Sequence, residues 1–177
     1  MVFARRSRYF SELCRAMEAV AEHPRSIFLG QSVSSPGTGM TASFAKVPRD
    51  KLLELPVAED MQLGMSIGLA LSGDLPVSVF PRWNFLLLAT NQIVNHLDKL
   101  PLYSDYRPRV IIRTASATPV PLDPGPQHLG DFTWAFRSLL KTVSIVQLEH
   151  ASDVVPAYRG AINNNGSTIL VEYPELY

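Results

Sequence analysis

The chain has 177 residues, of which 46% are apolar and 18% are charged, and its 16 basic residues balance its 16 acidic ones. This length predicts one domain with a single core, and the zero net charge argues against nucleic acid or a membrane surface as a partner. No apolar run reaches the ~18 residues that a membrane span needs, and the N-terminus lacks the apolar stretch of a secretory signal, so we expect a cytoplasmic protein.

Apolar strand-type runs alternate with amphipathic helical segments along the whole chain, after a basic segment at residues 1–8 that we expect to be a flexible tail. The first part of the pattern predicts a helix at 9–22, a strand at 26–29, a polar glycine-containing loop at 31–45 and a strand ending near Leu55. The middle part predicts a helix at 58–71, a strand at 76–80, a helix at 84–100 ended by Pro101, a strand at 109–113 and a proline-rich loop at 115–125. The last part predicts a helix at 127–141, a strand at 143–148, a helix at 152–162 and a strand at 167–172. Such alternation is typical of a parallel sheet with helices on both faces, so the sequence predicts a three-layer α/β fold for residues 1–177.

The chain offers little from which to build its own metal site. Cys14 is the only cysteine and falls within the first helical pattern, which predicts a small core residue rather than a thiolate ligand. The four histidines His23, His96, His128 and His150 show no ligand spacing. We therefore expect no metal bound by this chain alone.

The helix predicted at 58–71 has two unusual features. It opens with Glu59 and Asp60, which complement the positive end of the helix dipole. It also carries Gly64 and Gly68 in its interior, where each glycine costs up to ~1 kcal/mol relative to alanine. Two glycines on one face indicate that another backbone passes close by, either within the core or at an interface with another chain.

These residues resemble a known signature. Glu59, Gly64 and Gly68, with apolar residues after each glycine, resemble the glutamate and glycine motif of the pyrimidine-binding, transketolase-like domain of thiamine-diphosphate enzymes. Further segments match that family in order, in particular the beta subunits of 2-oxoacid dehydrogenases: Leu-Pro-Val-Ala-Glu at 55–59, Asn-Phe-Leu at 84–86, Asn-Gln-Ile-Val-Asn at 91–95, Gly-Pro-Gln-His at 125–128 and Glu-Tyr-Pro-Glu-Leu-Tyr at 172–177. The resemblance covers residues 9–177.

The resemblance implies a role for each of five residues. Glu59 is implied to bind the pyrimidine ring nitrogen of thiamine diphosphate, with Val57 and Gln31 also lying against the cofactor. Phe85 is implied to pack on the pyrimidine ring, and His128 to face the substrate carboxylate or the bound cofactor. The plainer alternatives are a helix-start glutamate for Glu59, core packing for Phe85 and a solvent-exposed helix-start histidine for His128.

Two departures from the family pattern limit what this chain can do alone. Gln31 stands after Gly30, where the family commonly has an acidic residue, so the amide can hydrogen-bond but cannot act as a base. The Gly-Asp-Gly motif that holds the diphosphate and its metal is also absent from the sequence, because Gly73-Asp74 is followed by Leu75 and Gly130-Asp131 by Phe132.

We therefore expect a hetero-oligomer in which a diphosphate-binding subunit holds Mg²⁺. The resemblance implies a thiamine-diphosphate enzyme of 2-oxoacid dehydrogenase or transketolase-like type, acting next to the carbonyl group of a 2-oxoacid or ketose-like donor. The alternative is a non-catalytic binding or regulatory module that retains the fold.

Overall fold

A computed structural model describes residues 7–116, 119 and 123–177, and its centre is a parallel sheet. The strands are β1 (Ser26–Gly30), β2 (Leu52–Glu54), β3 (Leu75–Val79), β4 (Ile111–Ala115), β5 (Ser144–Gln147) and β6 (Thr168–Glu172). They form one six-stranded sheet in the order β2-β1-β3-β4-β6-β5, in which every neighbouring pair is parallel. The carboxyl ends of all these strands therefore lie along the same edge.

The helices cover both faces of this sheet. They are α1 (Arg8–Ala21), α2 (Gly39–Ala42), α3 (Glu59–Leu71), α4 (Trp83–Leu86), α5 (Leu100–Tyr103), α6 (Thr133–Leu139) and α7 (Ala151–Asn163). Shorter 3₁₀ turns lie at Arg49–Lys51, Leu87–Ala89, Pro126–His128 and Pro174–Leu176, and Gln92–Leu97 is π-helical.

Alternate residues of the strands point into two separate hydrophobic clusters. Ile111 of β4 and Leu170 of β6 belong to a cluster with buried residues of α1 and α7. Their neighbours Ile112 and Val171 belong to a second cluster with buried residues of α3, α4 and α6. Strands that are apolar on both faces are expected where helices cover both sides of a parallel sheet. The predicted three-layer α/β fold is confirmed.

The first helix begins within the segment that we expected to be a tail. Ser7 caps α1, because its hydroxyl oxygen accepts a hydrogen bond of 3.0 Å from the Phe10 N–H. Arg8 is the first helical residue, so the tail expected at residues 1–8 does not extend to residue 8. Residues 1–6 lie outside the described part of the chain.

The segment predicted as one helix at 84–100 is helical over most of its length, but it is irregular and does not end at Pro101. This segment consists of α4, a 3₁₀ turn, the π-helical turn and α5. The Asp98 N–H bonds the Ile93 carbonyl at 2.9 Å, an i to i−5 spacing that widens the helix. Pro101 does not end a helix but lies in the first turn of α5, where its missing N–H costs nothing.

The helix predicted at 127–141 is also shorter than expected. It begins at Thr133, whose N–H donates to the Asp131 carboxylate at 2.9 Å, and the residues before it do not continue the helix. The Gly130 N–H instead donates to Asn84 Oδ1 at 3.3 Å, which ties this segment to α4. Part of the preceding proline-rich loop, at residues 117, 118 and 120–122, lies outside the described residues. The loop predicted at 31–45 contains the one-turn helix α2.

Candidate functional site

The strand order creates two crevices at the carboxyl edge of the sheet. The chain leaves β1 toward the α1/α7 face and leaves β3 toward the α3 face, so the two loops diverge between these strands. The same divergence occurs between β4, which leads to α6, and β6, which leads to the Pro174–Leu176 turn on the opposite face. Parallel α/β sheets bind their ligands at such switch points.

The crevice between β4 and β6 is closed by side chains of the chain itself. Arg113 and Glu172 form a buried bidentate ion pair, with distances of 2.6 Å from Nε to Oε1 and 3.0 Å from Nη2 to Oε2. The Tyr158 and Tyr177 hydroxyls donate to the same carboxylate at 2.9 and 2.5 Å, and burial raises the pKa of both phenols well above its ordinary value. The crevice between β1 and β3 is therefore the better candidate for a site.

Glu59 and Gln31 meet at the β1/β3 crevice. Gln31 follows directly after β1, and Glu59 is the first residue of α3. Only 4% of Glu59 is exposed, and its Oε1 accepts a hydrogen bond of 3.2 Å from Gln31 Nε2. Glu59 does begin α3, as the alternative of a helix-start glutamate has it, but its carboxyl group is buried beside the end of the sheet.

Gln62, one turn along α3, was not predicted as a site residue. Its buried Nε2 donates to the Val79 carbonyl at 2.9 Å and lies 3.1 Å from Ser78 Oγ, at the end of β3. This fixes the orientation of the amide, and Gln62 Oε1 is then buried without a hydrogen-bond partner among the described residues. Gly30 makes room for this side chain, because an added Cβ would lie 2.3 Å from the Val79 carbonyl oxygen and 2.6 Å from Gln62 Nε2.

Phe85 and His128 form a second pair of predicted residues. Their ring centroids lie 5.4 Å apart with the planes tilted by 57°. Phe85 is half-buried and belongs to neither hydrophobic cluster, so core packing does not account for it. His128 lies in a 3₁₀ turn, and its Nδ1 is buried without a partner in the part of the chain that the structure describes. It is neither solvent-exposed nor at the start of a helix.

Val57 is the predicted cofactor residue that is least enclosed. It lies two residues before Glu59, and 77% of it is exposed. Among the described contacts it joins neither the Gln31–Glu59 pair nor the Phe85–His128 pair.

The solvent-facing side of α3 is apolar and has room for close contact. A Cβ added at Gly68 would have no atom within 4 Å, and one at Gly64 would only reach ordinary contact with Gln92 at 3.8 Å. Met61 and Met65 lie exposed on the same helix. Core packing therefore does not explain Gly68, which leaves an interface with another chain as the open alternative.

The described residues also bear on metals and membranes. Within 7–116, 119 and 123–177, no group of three or more histidine, cysteine, aspartate or glutamate side chains is placed to hold a metal ion. In the same ranges, none of the helices combines the length and the apolar character that crossing a bilayer requires.

Comparison with known proteins places this geometry in context. No family model matches the chain. It is 30% identical over 168 residues to a protein of Staurastrum punctulatum named pyruvate dehydrogenase E1 component subunit beta, covering 90% of this chain and 49% of that protein. It is 28% identical over 176 residues to the protein of the same name from Gracilaria tenuistipitata var. liui, covering 95% of this chain and 53% of the relative.

A solved structure shares the fold of this chain. The match is titled split gene transketolase, inactive beta4 tetramer, with a TM-score of 0.74 and 17% identity over 96% of this chain and 52% of the other. The chain therefore has a transketolase-like fold, and its sequence is similar to that of E1 beta subunits. The resemblance seen in the sequence is confirmed, and the transketolase-like domain spans about half the length of the relatives it matches. One rice relative, 28% identical over 166 residues that cover 91% of this chain and 41% of the relative, is named chloroplastic, so a cytoplasmic location stays a prediction.

Proposed function

We propose that the chain is the pyrimidine-binding subunit of a two-component thiamine-diphosphate enzyme that cleaves or forms a bond next to a carbonyl group. The activity is of 2-oxoacid dehydrogenase or transketolase-like type, with a 2-oxoacid or a ketose-like donor as substrate. The observation that carries the proposal is the buried carboxyl group of Glu59, held by Gln31 at the carboxyl edge of the sheet between β1 and β3.

The side chains around this crevice fit a polar heteroaromatic ligand. Glu59 would hydrogen-bond the pyrimidine ring nitrogen, and the Gln31 amide orients the Glu59 carboxyl group by donating to one of its oxygens. Burial strengthens such a hydrogen bond because little water competes for it. Thiamine diphosphate, when bound, supplies the carbon nucleophile and the electron sink of the reaction.

The second pair would act on the ring and on the substrate. The half-buried ring of Phe85 can stack against an aromatic ligand, an arrangement worth about 1 kcal/mol beyond the burial of surface. His128 offers a buried ring nitrogen that lacks a described partner, and an imidazole nitrogen can donate or accept a proton. This fits a role in binding an anionic substrate or in transferring a proton.

A partner subunit is required because this sequence lacks the Gly-Asp-Gly motif for the diphosphate and Mg²⁺. We propose that the partner holds both and that one of its helices crosses α3 at Gly68. There an approaching backbone meets no side chain of the glycine, and the exposed Met61 and Met65 supply apolar contact area. Val57, two residues before Glu59, would lie against the cofactor.

Reconstitution tests the proposal. The chain is mixed with candidate diphosphate-binding subunits from the same genome, Mg²⁺ and thiamine diphosphate, and we expect 2-oxoacid-dependent reduction of an artificial electron acceptor or transfer from a ketose donor. Glu59→Gln should lower kcat by ~10² or more, the usual contribution of a group that moves or holds a proton in the reaction.

The matched control is Asp60→Asn, the same chemical change on the next, exposed residue, and it should leave kcat unchanged. A Glu59→Gln complex as active as wild type would refute the assigned role. A stable complex that turns over none of these donors would instead favour the non-catalytic module.

A further inference from the structure

The loop that follows β1 is built around the carboxylate of Glu54, the last residue of β2. The Ser32 N–H donates to Oε1 at 2.8 Å. The N–H groups of Val33, Ser34 and Ser35 donate to Oε2 at 2.8, 2.6 and 3.1 Å. Four consecutive backbone donors thus converge on one carboxylate, an arrangement in which the backbone forms an anion-binding nest.

The backbone at this nest is strained. Ser32 has a φ of 59°, in the left-handed region that costs a residue with a side chain roughly 1 kcal/mol or more. Such a conformation persists only when its surroundings hold it in place. Glu54 supplies that hold from one side, and Thr41 Oγ1 lies 2.9 Å from the Ser32 carbonyl and 2.7 Å from the Ser35 carbonyl on the other.

Glu54 is itself fixed by the sheet. It pairs with Gly30 in the parallel register of β1 and β2, and the next N–H along the chain, that of Leu55, donates to the Gly30 carbonyl at 2.9 Å. Burial alone would raise the pKa of the Glu54 carboxyl, but the four N–H donors hold it below its ordinary value. The group is therefore ionised at neutral pH and binds its donors as a full negative charge.

Gln31 lies between these two fixed points. Its neighbours are Gly30, held in the sheet, and Ser32, held by Glu54. Its amide is the described donor to Glu59. We propose that Glu54 is a positioning residue: by binding the turn that begins at Ser32, it aims the Gln31 amide at Glu59. The importance of this for catalysis rests on the proposed function, whereas the coupling of Glu54 to Gln31 concerns this chain alone.

The Gln31 side-chain amide signal in the NMR spectrum of the isolated chain tests the coupling. Glu54→Gln removes the charge and turns one acceptor oxygen into a donor, so we expect amide exchange at residues 32–35 to accelerate by ~10-fold or more. The Gln31 side-chain signal should move in the direction seen in Glu59→Gln. Glu18→Gln, the same change at a surface glutamate paired with Lys46, should leave both unchanged.

Faster exchange in Glu54→Gln with an unmoved Gln31 signal would show that Glu54 only stabilises the loop and would overturn the proposal. If Glu54→Gln does not fold, Glu54→Asp keeps the charge but withdraws it by one methylene, and an unmoved Gln31 signal there overturns the proposal equally.

Turnover by the complex provides an independent arm. If Glu54 acts through Gln31, the double variant Glu54→Gln/Gln31→Leu should lose no more kcat than Gln31→Leu alone, whereas independent effects would multiply. Multiplying effects overturn the proposal. Should no partner give turnover, the proposed function fails while the NMR result still decides the role of Glu54.

Discussion

Replacing Gly68 with alanine should stabilise the isolated chain and weaken its assembly with a partner. Gly68 lies in the interior of α3, is exposed, and has no atom within 4 Å of the position that a Cβ would take. The added methyl group therefore meets nothing, and the helix gains the ~1 kcal/mol by which alanine is favoured over glycine. For a domain of this size, that corresponds to a rise in Tm of roughly 2–4 °C.

The matched control is Gly160→Ala in α7, where the glycine is also exposed, within a helix and free of neighbours. Calorimetry of the isolated chains should show similar rises in Tm for both variants. Titration with the partner should show a higher Kd for Gly68→Ala alone, because only that methyl group would stand between crossing helices. A lower Tm for Gly68→Ala would contradict the open geometry, and an unchanged Kd would remove α3 from the proposed interface.

Two further predictions concern buried charges. Arg113→Met should lower the free energy of unfolding by about 3–5 kcal/mol in urea titrations, because it leaves the Glu172 carboxylate buried without its cation. A loss below about 1 kcal/mol would argue that Glu172 is not held as an ion. Burial alone would raise the pKa of Asp98, but backbone N–H groups before β5 and the Lys99 ammonium hold it below its ordinary value. Its contribution is therefore present above about pH 4 and lost as pH falls through the lowered pKa, so the Tm gap between wild type and Asp98→Asn should be widest at neutral pH and close in acid. A Tm difference between wild type and Asp98→Asn that widens as the pH falls would contradict this expected pH dependence.

The architecture could be predicted from the sequence because buried parallel strands and amphipathic helices have distinct periodicities. The helix predictions fail where the period of the apolar residues stays the same but the backbone hydrogen bonding changes. The apolar pattern at 84–100 is the same for a regular α-helix as for turns interrupted at Leu87–Ala89 and Gln92–Leu97, and Pro101 can either end a helix or begin one. The late start of α6 depends on the contact between Gly130 and Asn84, which are far apart in the chain.

The predicted site residues that the structure brings together are those carried by the family resemblance. Glu54 and Gln62 were missed because both act on backbone groups of other strands and loops, which no local pattern reports. Gln62 left one usable signal: it is a polar residue at i+3 from Glu59 in a largely apolar helix. Glu54 left none, since an acidic residue at the end of a short edge strand is ordinary.

The two buried glutamates at the carboxyl edge of the sheet show which crevice is complete. Glu172 receives two hydrogen bonds from Arg113 and one from each of two tyrosines, so both oxygens are satisfied within the chain. Glu59 receives one, from the neutral amide of Gln31, among the described residues. A buried carboxyl group is costly unless it is hydrogen-bonded, and evenly packed cores do not leave one partly satisfied. Gln62 Oε1, one turn along α3, is likewise buried without a hydrogen-bond donor among the described residues. The buried carboxyl group beside β1 and β3 thus accepts fewer hydrogen bonds from the described residues than the one beside β4 and β6, as the proposed function requires of a carboxyl group that a ligand completes.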